Sequence, residues 1–249
     1  KGKEEKFQYS ESSKESKLTR RETVQILSKG TYAGPSYTSS EPRYIIAVQF
    51  ARTPGKGTIF GVTFMDATTN TVSLGFMNDD EHLTKFKTLI AQITPSEVIY
   101  EDLDPEPQVK AVLSSPVISP LFSRVKEPAL WTLNEATTIL KEYCGKDEGQ
   151  WPEVFKELKQ LGKREFELVM MSFSGCMSYF KRMLILERIM NAGKFCMYDP
   201  QMMSTAHMVL DSQVLQHLEV CRVEYSPNNP VEGSLFSFIN QTVTPFGER

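Results

Sequence analysis

The chain has 249 residues, 40% of them hydrophobic and 24% charged, with 14 Gly and 14 Pro, an ordinary globular composition for one large domain or two smaller ones. Its net charge is −3, and the first 21 residues carry seven Lys/Arg against four Glu, so the remainder stands at −3 − 3 = −6; a body this acidic argues against tight, autonomous binding to a phosphate backbone. Cys144, Cys176, Cys196 and Cys221 lie far apart with no CxxC pair, which argues against a zinc centre and against a disulfide scaffold, and the longest apolar uncharged run, residues 168–180, falls short of the roughly 20 residues of a membrane span.

In chain order, residues 1–17, KGKEEKFQYSESSKESK, offer almost nothing to bury and read as a disordered linker rather than a signal peptide. ETVQILSKGT (22–31) alternates into a short strand that stops at Gly30. YIIAVQF (44–50) is a continuous run of β-formers, the pattern of a central strand covered on both faces. IFGVTFM (59–65) and TVSLGFM (71–77) flank the polar DATTN and form a hairpin. A helix follows with Leu83, Phe86, Leu89, Ile90 and Ile93 on one face, and Asn78 and Glu81 stand at capping-box spacing. EVIYE (97–101) is a strand, Asp104-Pro105 opens a helix carrying Val109, Val112 and Leu113, and ISPLFSRV (118–125) is a last strand. A three-stranded meander followed by alternating strand and helix predicts an α/β fold with a mixed sheet, in an order similar to ribonuclease H.

Beyond Pro128 the pattern turns helical. Thr132 and Glu135 cap TLNEATTILKEYCG, with Gly145 as the stop. WPEVFKELKQLG (151–162) is amphipathic, and residues 165–191 read as one long helix, apolar nearly all round in its first half. Asp211 caps DSQVLQHLEV, and Leu235, Phe236, Phe238 and Ile239 mark a helix with one buried face. Thr244-Pro245 is a start signal for another helix. The expected division is a linker at 1–17, an α/β domain at 18–145 and a mainly helical region at 146–249.

The usual catalytic patterns are missing. None of the Gly-Lys pairs is followed by Ser or Thr, so there is no P-loop, and Gly55-Lys56-Gly57 reads as a flexible loop. There is no GxSxG; Ser174-Gly175-Cys176 sits in an apolar helical stripe and reads as packing. His82, His207 and His217 are isolated, and Met170, Met171, Met177 and Met183 are core filler at helical spacing. A two-metal nuclease needs converging carboxylates, one from the first central strand. That strand offers only Gln49, Asp66 is a turn former, and Asp102 and Asp104 lie at a helix start.

One signature is specific. MVLDSQVLQHLEV followed by EGSLFSFINQTVTPFGER resembles the "LDxxTLxxLE" and "GSLxxxLxxTxTPxGxRxL" segments at the start of the core domain in the MutS DNA mismatch-repair family. Met208, Leu210, Asp211, Leu215, Leu218 and Glu219 match the first segment, with Val214 in place of the usual Thr. Gly233, Ser234, Leu235, Thr242, Thr244, Pro245, Gly247 and Arg249 match the second. Upstream, RRETVQILSKGT, FGVTFMD and DDEHLTKFKTLIAQITPSEVIYE resemble the connector domain of that family, and GCMSYFKRMLI its "GCxxYLKxxLI". Within the family the resemblance is nearest to the sixth MutS homologue subfamily, the eukaryotic mismatch-recognition subunit of the MutSα heterodimer, and it covers about residues 18–249.

The resemblance implies a connector and partial lever that couple mismatch recognition to an ATPase and contact partner proteins. It implies no catalytic, cofactor-binding or metal residue in this stretch, and ATP with Mg only in a full-length DNA-dependent ATPase whose chain continues past Arg249. The implied partners are mismatched double-stranded DNA, a second MutS homologue and a MutL-type protein, in the nucleus and with no membrane. The docking patch is expected around the 59–77 hairpin and the helix from Asp79 to Ile93, because loops on a rigid scaffold carry binding residues. The rival expectation is a stand-alone α/β scaffold for protein interaction with no DNA role.

Overall fold

The computed structural model describes residues 23, 26–28, 30–31, 43–53, 57–101, 107–113, 121–125, 128–198, 209–220, 223 and 232–244. Among them six strands build one mixed sheet: β1 (Tyr44–Thr53), β2 (Gly57–Asp66), β3 (Thr71–Asp79), β4 (Glu97–Glu101), β5 (Leu121–Val125) and β6 (Lys194–Tyr198). Their order is β5-β4-β1-β2-β3-β6. β1, β2 and β3 form an antiparallel meander, while β4 runs parallel to β1, β5 to β4, and β6 to β3. The first five strands follow the ribonuclease H-like order expected from the sequence. The strand expected at 22–31 is absent from the described residues there, which are turn or irregular.

The sheet is covered on both faces, and β1 shows why its run is unbroken. Ile45 and Ala47 belong to one core, Ile46 and Val48 to the other. Side chains alternate across a strand, so two-sided burial requires an apolar residue at every position. One face is closed by α1 (Thr84–Ile93) and α2 (Pro107–Leu113). Phe86 of α1 stacks on Phe60 of β2, with ring centroids 4.5 Å apart and planes 4° from parallel. The other face holds α3 (Leu133–Tyr143), α4 (Glu153–Leu158), α5 (Lys163–Arg182) and α6 (Leu186–Ala192).

The expected caps are partly right. Thr132 is the N-cap of α3, its Oγ1 accepting from the Glu135 amide at 3.2 Å, and Gly145 follows the helix at φ 113°. The Asn78/Glu81 box is not what starts α1. Two consecutive aspartates do: Asp79 Oδ1 and Oδ2 accept from the Lys85 and Phe86 amides at 3.1 and 2.8 Å, while Asp80 Oδ1 accepts from Thr84 at 3.2 Å. The start signal at Asp104-Pro105 lies outside the described residues.

The helix expected at 165–191 is two. α5 ends at Arg182 with Met183 as its C-cap, and Leu184 adopts φ 58°. The Ile185 amide then donates to the Phe180 carbonyl and the Leu184 amide to that of Lys181, the paired bonds of a Schellman stop with leucine where glycine is usual.

Beyond residue 145, the boundary expected from the sequence, the chain still packs on the sheet. From Leu168 to Phe180 every residue of α5 but Met171 is buried, and the helix backbone crosses β2 at Gly61. A Cβ there would stand 2.3 Å from the Leu168 carbonyl carbon and 2.6 Å from the Val169 nitrogen. Thr63 Oγ1 of β2 meets Ser172 Oγ at 2.8 Å in the same buried contact. β6 then enters the sheet beside β3, pairing Val72 with Phe195. Phe195 lies against Phe155 and Phe173 at 5.7 and 6.5 Å. The α/β core therefore continues through residue 198. A nearly all-apolar helix marks a buried location, but periodicity carries no information on which sheet buries it.

Candidate interaction surface

The hairpin expected to offer a docking patch is mostly interior. β2 and β3 are central strands of the sheet, with Phe60, Val62, Phe64, Met65, Val72, Leu74 and Met77 all buried. What reaches solvent is its turn. There Asp66 Oδ1 accepts from the Thr68 amide at 2.9 Å and Oδ2 from Thr69 Oγ1 at 2.9 Å, so Asp66 shapes the turn. The other accessible part of the expected patch is the outer side of α1 and its entry, with Glu81, His82, Thr84, Lys85, Lys87 and Gln92 exposed. The surface left to a partner is polar and of mixed charge. At its head the Asp80 carboxyl is held below its ordinary value, chiefly by the Thr84 hydroxyl at 2.8 Å.

The signature residues near the C-terminus act as local architects. Asp211 Oδ1 accepts from the Val214 amide at 2.7 Å and starts α7 (Ser212–His217), which lies against α1. Buried Ser234 caps α8 (Leu235–Ile239) through the Ser237 amide at 3.1 Å, and Gly233 precedes it at φ 93°. The structure brings the two halves of the signature together: the Leu235 and Phe236 amides donate to the carbonyls of Glu219 and Val220 at 3.2 and 2.8 Å. Thr242 bonds the Asn240 side chain through its amide at 3.0 Å and its hydroxyl at 2.6 Å. Thr244 is exposed, and Pro245, Gly247 and Arg249 lie outside the described residues. The helix at 235–239 does not bury the face expected of it. Leu235, Phe238 and Ile239 are 50, 85 and 65% exposed, and Leu218 beside them 58%.

A polar centre that sequence reading missed sits at the start of β4. Glu97 is fully buried, yet the expected strand EVIYE gives it no special role. Its Oε2 accepts from Ser28 Oγ at 2.6 Å and from the Gly30 amide at 3.2 Å. Its Oε1 accepts from the hydroxyls of Ser123 and Tyr179. Burial pushes the Cys176 thiol and the Tyr179 hydroxyl well up, and the nearby Glu97 adds to both. The only signal in sequence was a charged residue opening a buried strand. Its donors come from positions 26 to 82 residues away, beyond any local pattern.

The other candidates are dispersed. Gln49 Nε2 donates to Glu101 Oε2 at 2.9 Å, and Asp66 sits at the opposite end of the paired strand, facing Tyr44. Among the described residues no group of three His, Cys, Asp or Glu side chains could hold a metal ion, and no helix is long and apolar enough to cross a membrane. Ser174-Gly175-Cys176 is buried packing: Ser174 Oγ donates to the Leu130 carbonyl at 2.5 Å, and the Gly175 backbone lies under the Trp131 ring. Met170 and Met177 are fully buried in the same core, with Met183 packed against it. His82 is exposed, and His207, Asp102, Asp104 and Cys221 lie outside the described residues.

Residues 43–189, more than half of the chain, match the sequence model of MutS domain II. The chain is 26% identical to the DNA mismatch repair protein Msh6 of Gallus gallus, over 94% of this chain and 20% of that protein. It is 29% identical to MSH6 of Saccharomyces cerevisiae, over 77% of this chain and 15% of that protein. The DNA mismatch repair protein MutS of Methanosarcina acetivorans is 24% identical over 93% of this chain and 24% of that protein. The chain thus spans about a fifth of the length of these relatives. These likenesses favour a mismatch-repair setting over the stand-alone scaffold. With a domain II match running along the three-layer core from β1 into α6, the chain belongs to the MutS family.

Proposed function

We propose that this chain is the connector, with the beginning of the lever, of a DNA mismatch-repair protein of the sixth MutS homologue type. The observation that carries the reading is the match of one continuous α/β core, residues 43–189, to MutS domain II. Three structural features support a coupling role. The core is rigid and doubly covered, its candidate catalytic groups are dispersed, and α8 leaves Leu235, Phe238 and Ile239 on a surface suited to further helices of the same protein. Exposed apolar side chains grouped this way mark an interaction face. In the whole protein, ATP with Mg and mismatched double-stranded DNA are bound elsewhere. A second MutS homologue is the heterodimer partner, a MutL-type protein meets the α1 side, and the protein works in the nucleus.

The test is a titration of this chain with a G·T mismatch and with matched duplex, at low and moderate salt. Binding is expected to be weak, carried by Lys1, Lys3, Lys6, Lys14, Lys17, Arg20 and Arg21, steeply salt-dependent and blind to the mismatch, because phosphate contacts carry no direct base information. A mismatch preference above about tenfold, roughly 1.4 kcal/mol, would overturn the assignment of recognition to another part of the protein.

A further inference from the structure

Residues 26–28 and 30–31 lie against the core with their polarity inverted. Ile26 and Leu27 are 44 and 50% exposed, while Gly30 and Thr31 are buried and Ser28 turns inward to Glu97. The segment closes on itself: the Ser28 amide donates to Thr31 Oγ1 at 2.8 Å, and the Thr31 amide to Ser28 Oγ at 3.2 Å. Gly30 fits only without a side chain, since a Cβ would stand 2.7 Å from Glu97 Oε2 and 2.6 Å from Ile45 Cγ1. On its other oxygen the same carboxylate receives Ser123 of β5 and Tyr179 of α5. One buried group thus joins four stretches of chain. At the leading end the Ile26 amide donates to the Met183 carbonyl at 3.3 Å, at the left-handed break that ends α5.

We propose that residues 26–28 and 30–31 form a strap latched by Glu97, which couples the position of this segment to the C-terminal end of α5. The attachment is polar. Its described contacts to Glu97 are hydrogen bonds, and the strap's large apolar side chains, Ile26 and Leu27, are about half exposed. Removing the latch is expected to free the strap while the apolar side chains on both faces of the sheet stay in place. Among the described residues Glu97 accepts from four donors, and losing one weakens the satisfaction of a buried acceptor. The inference stands on this geometry whatever the parent protein does.

Amide hydrogen exchange on the whole chain tests it, comparing Glu97→Gln, Ser28→Ala and Tyr179→Phe. The first two are expected to speed exchange at the Ile26 and Gly30 amides by about tenfold or more while β1–β3 amides stay within about twofold. Ile26 is the telling reporter, since its amide bonds Met183 and not Glu97. Tyr179→Phe removes from α5 a hydroxyl that donates to Glu97 and also hydrogen-bonds Ser28, and is expected to speed strap exchange about threefold or more. Should Glu97→Gln fail to fold, Ser28→Ala carries the same test from the strap's side. Unchanged exchange at Ile26 in the variants that fold would overturn the latch. Uniform loss of protection across β1–β3 would reduce Glu97 to a core stabiliser. A silent Tyr179→Phe beside a released strap would overturn the coupling to α5.

Discussion

Gly61 shows how one missing side chain sets the distance between two layers. Its neighbours across the contact are the Leu168 carbonyl and the Val169 nitrogen, backbone atoms that cannot rotate away. Gly61→Ala is therefore expected to destabilise by about 1–3 kcal/mol through overpacking, read as a fall in Tm of several degrees in a thermal melt followed by circular dichroism. A smaller effect belongs to Asp80. Its carboxyl is depressed, first by the Thr84 hydroxyl. A depressed acid stabilises the fold above its unfolded value of 3.8 and loses that contribution as pH falls through its folded value. Asp80→Ala is expected to cost about 1 kcal/mol of helix capping at pH 7 and less at pH 3; denaturant midpoints at the two pH values check the sign. Both residues were visible in sequence, Gly61 inside a strand pattern and Asp80 before a helix. What each touches was not, because an α5 backbone 107 residues downstream sets the one and a left-handed Leu83 re-aims the other.

Among the elements, the break between α5 and α6 is the clearest departure from expectation. Residues 165–191 keep helical periodicity straight through it, so pattern alone gave no reason to stop. The stop is conformational: Leu184 takes φ 58° and both Schellman bonds form around it. A left-handed leucine is strained by roughly 1–2 kcal/mol, and this one is 51% exposed, so it has little packing to lose. Leu184→Gly is expected to stabilise the chain by about 1 kcal/mol, raising Tm by roughly 2–4 °C for a unit of this size. A lowered Tm would mean that the leucine contacts outweigh the strain. β6 illustrates the converse. KFCMY is five residues with no alternation and a lysine at its head, and it becomes a strand because β3 offers an unpaired edge beside it.

For the molecule as a whole, the question is where the folding unit ends. A chain cut after residue 145 keeps the first five strands but loses α5, whose Phe173, Phe180, Val169, Met170, Cys176 and Met177 are all fully buried. At about 1.5–3 kcal/mol for each large side chain, that loss is roughly 9–18 kcal/mol, comparable to the whole 5–15 kcal/mol by which a domain is usually stable. The 1–145 truncation is expected not to fold, whereas a chain ending at 198 should give a cooperative thermal transition. Equal behaviour of the two would overturn the assignment of α5 and β6 to the core. The Cys176 thiol offers a probe of the same unit. Burial and then Glu97 push it well above its ordinary value, so a thiol reagent should leave Cys176 unlabelled in the native chain and label it only with global unfolding.

The sequence by itself determined the local pieces: the two-sided strand at 44–50, the hairpin around 66–71, the Thr132 cap, the Asp211 start and the buried character of 168–180. Each follows from propensity, alternation or capping within a dozen residues, and so did the MutS resemblance, because signature segments are local strings. Only the tertiary structure decided which surface of the hairpin is interior, that α5 belongs to the sheet and that β6 completes it. It alone decided that Glu97 collects Ser28, Gly30, Ser123 and Tyr179 around one carboxyl. The physical reason is common to all of these. Burial and hydrogen-bond satisfaction are settled by atoms brought together across the sheet, and a side chain's polarity says that it needs partners without saying where in the chain they are.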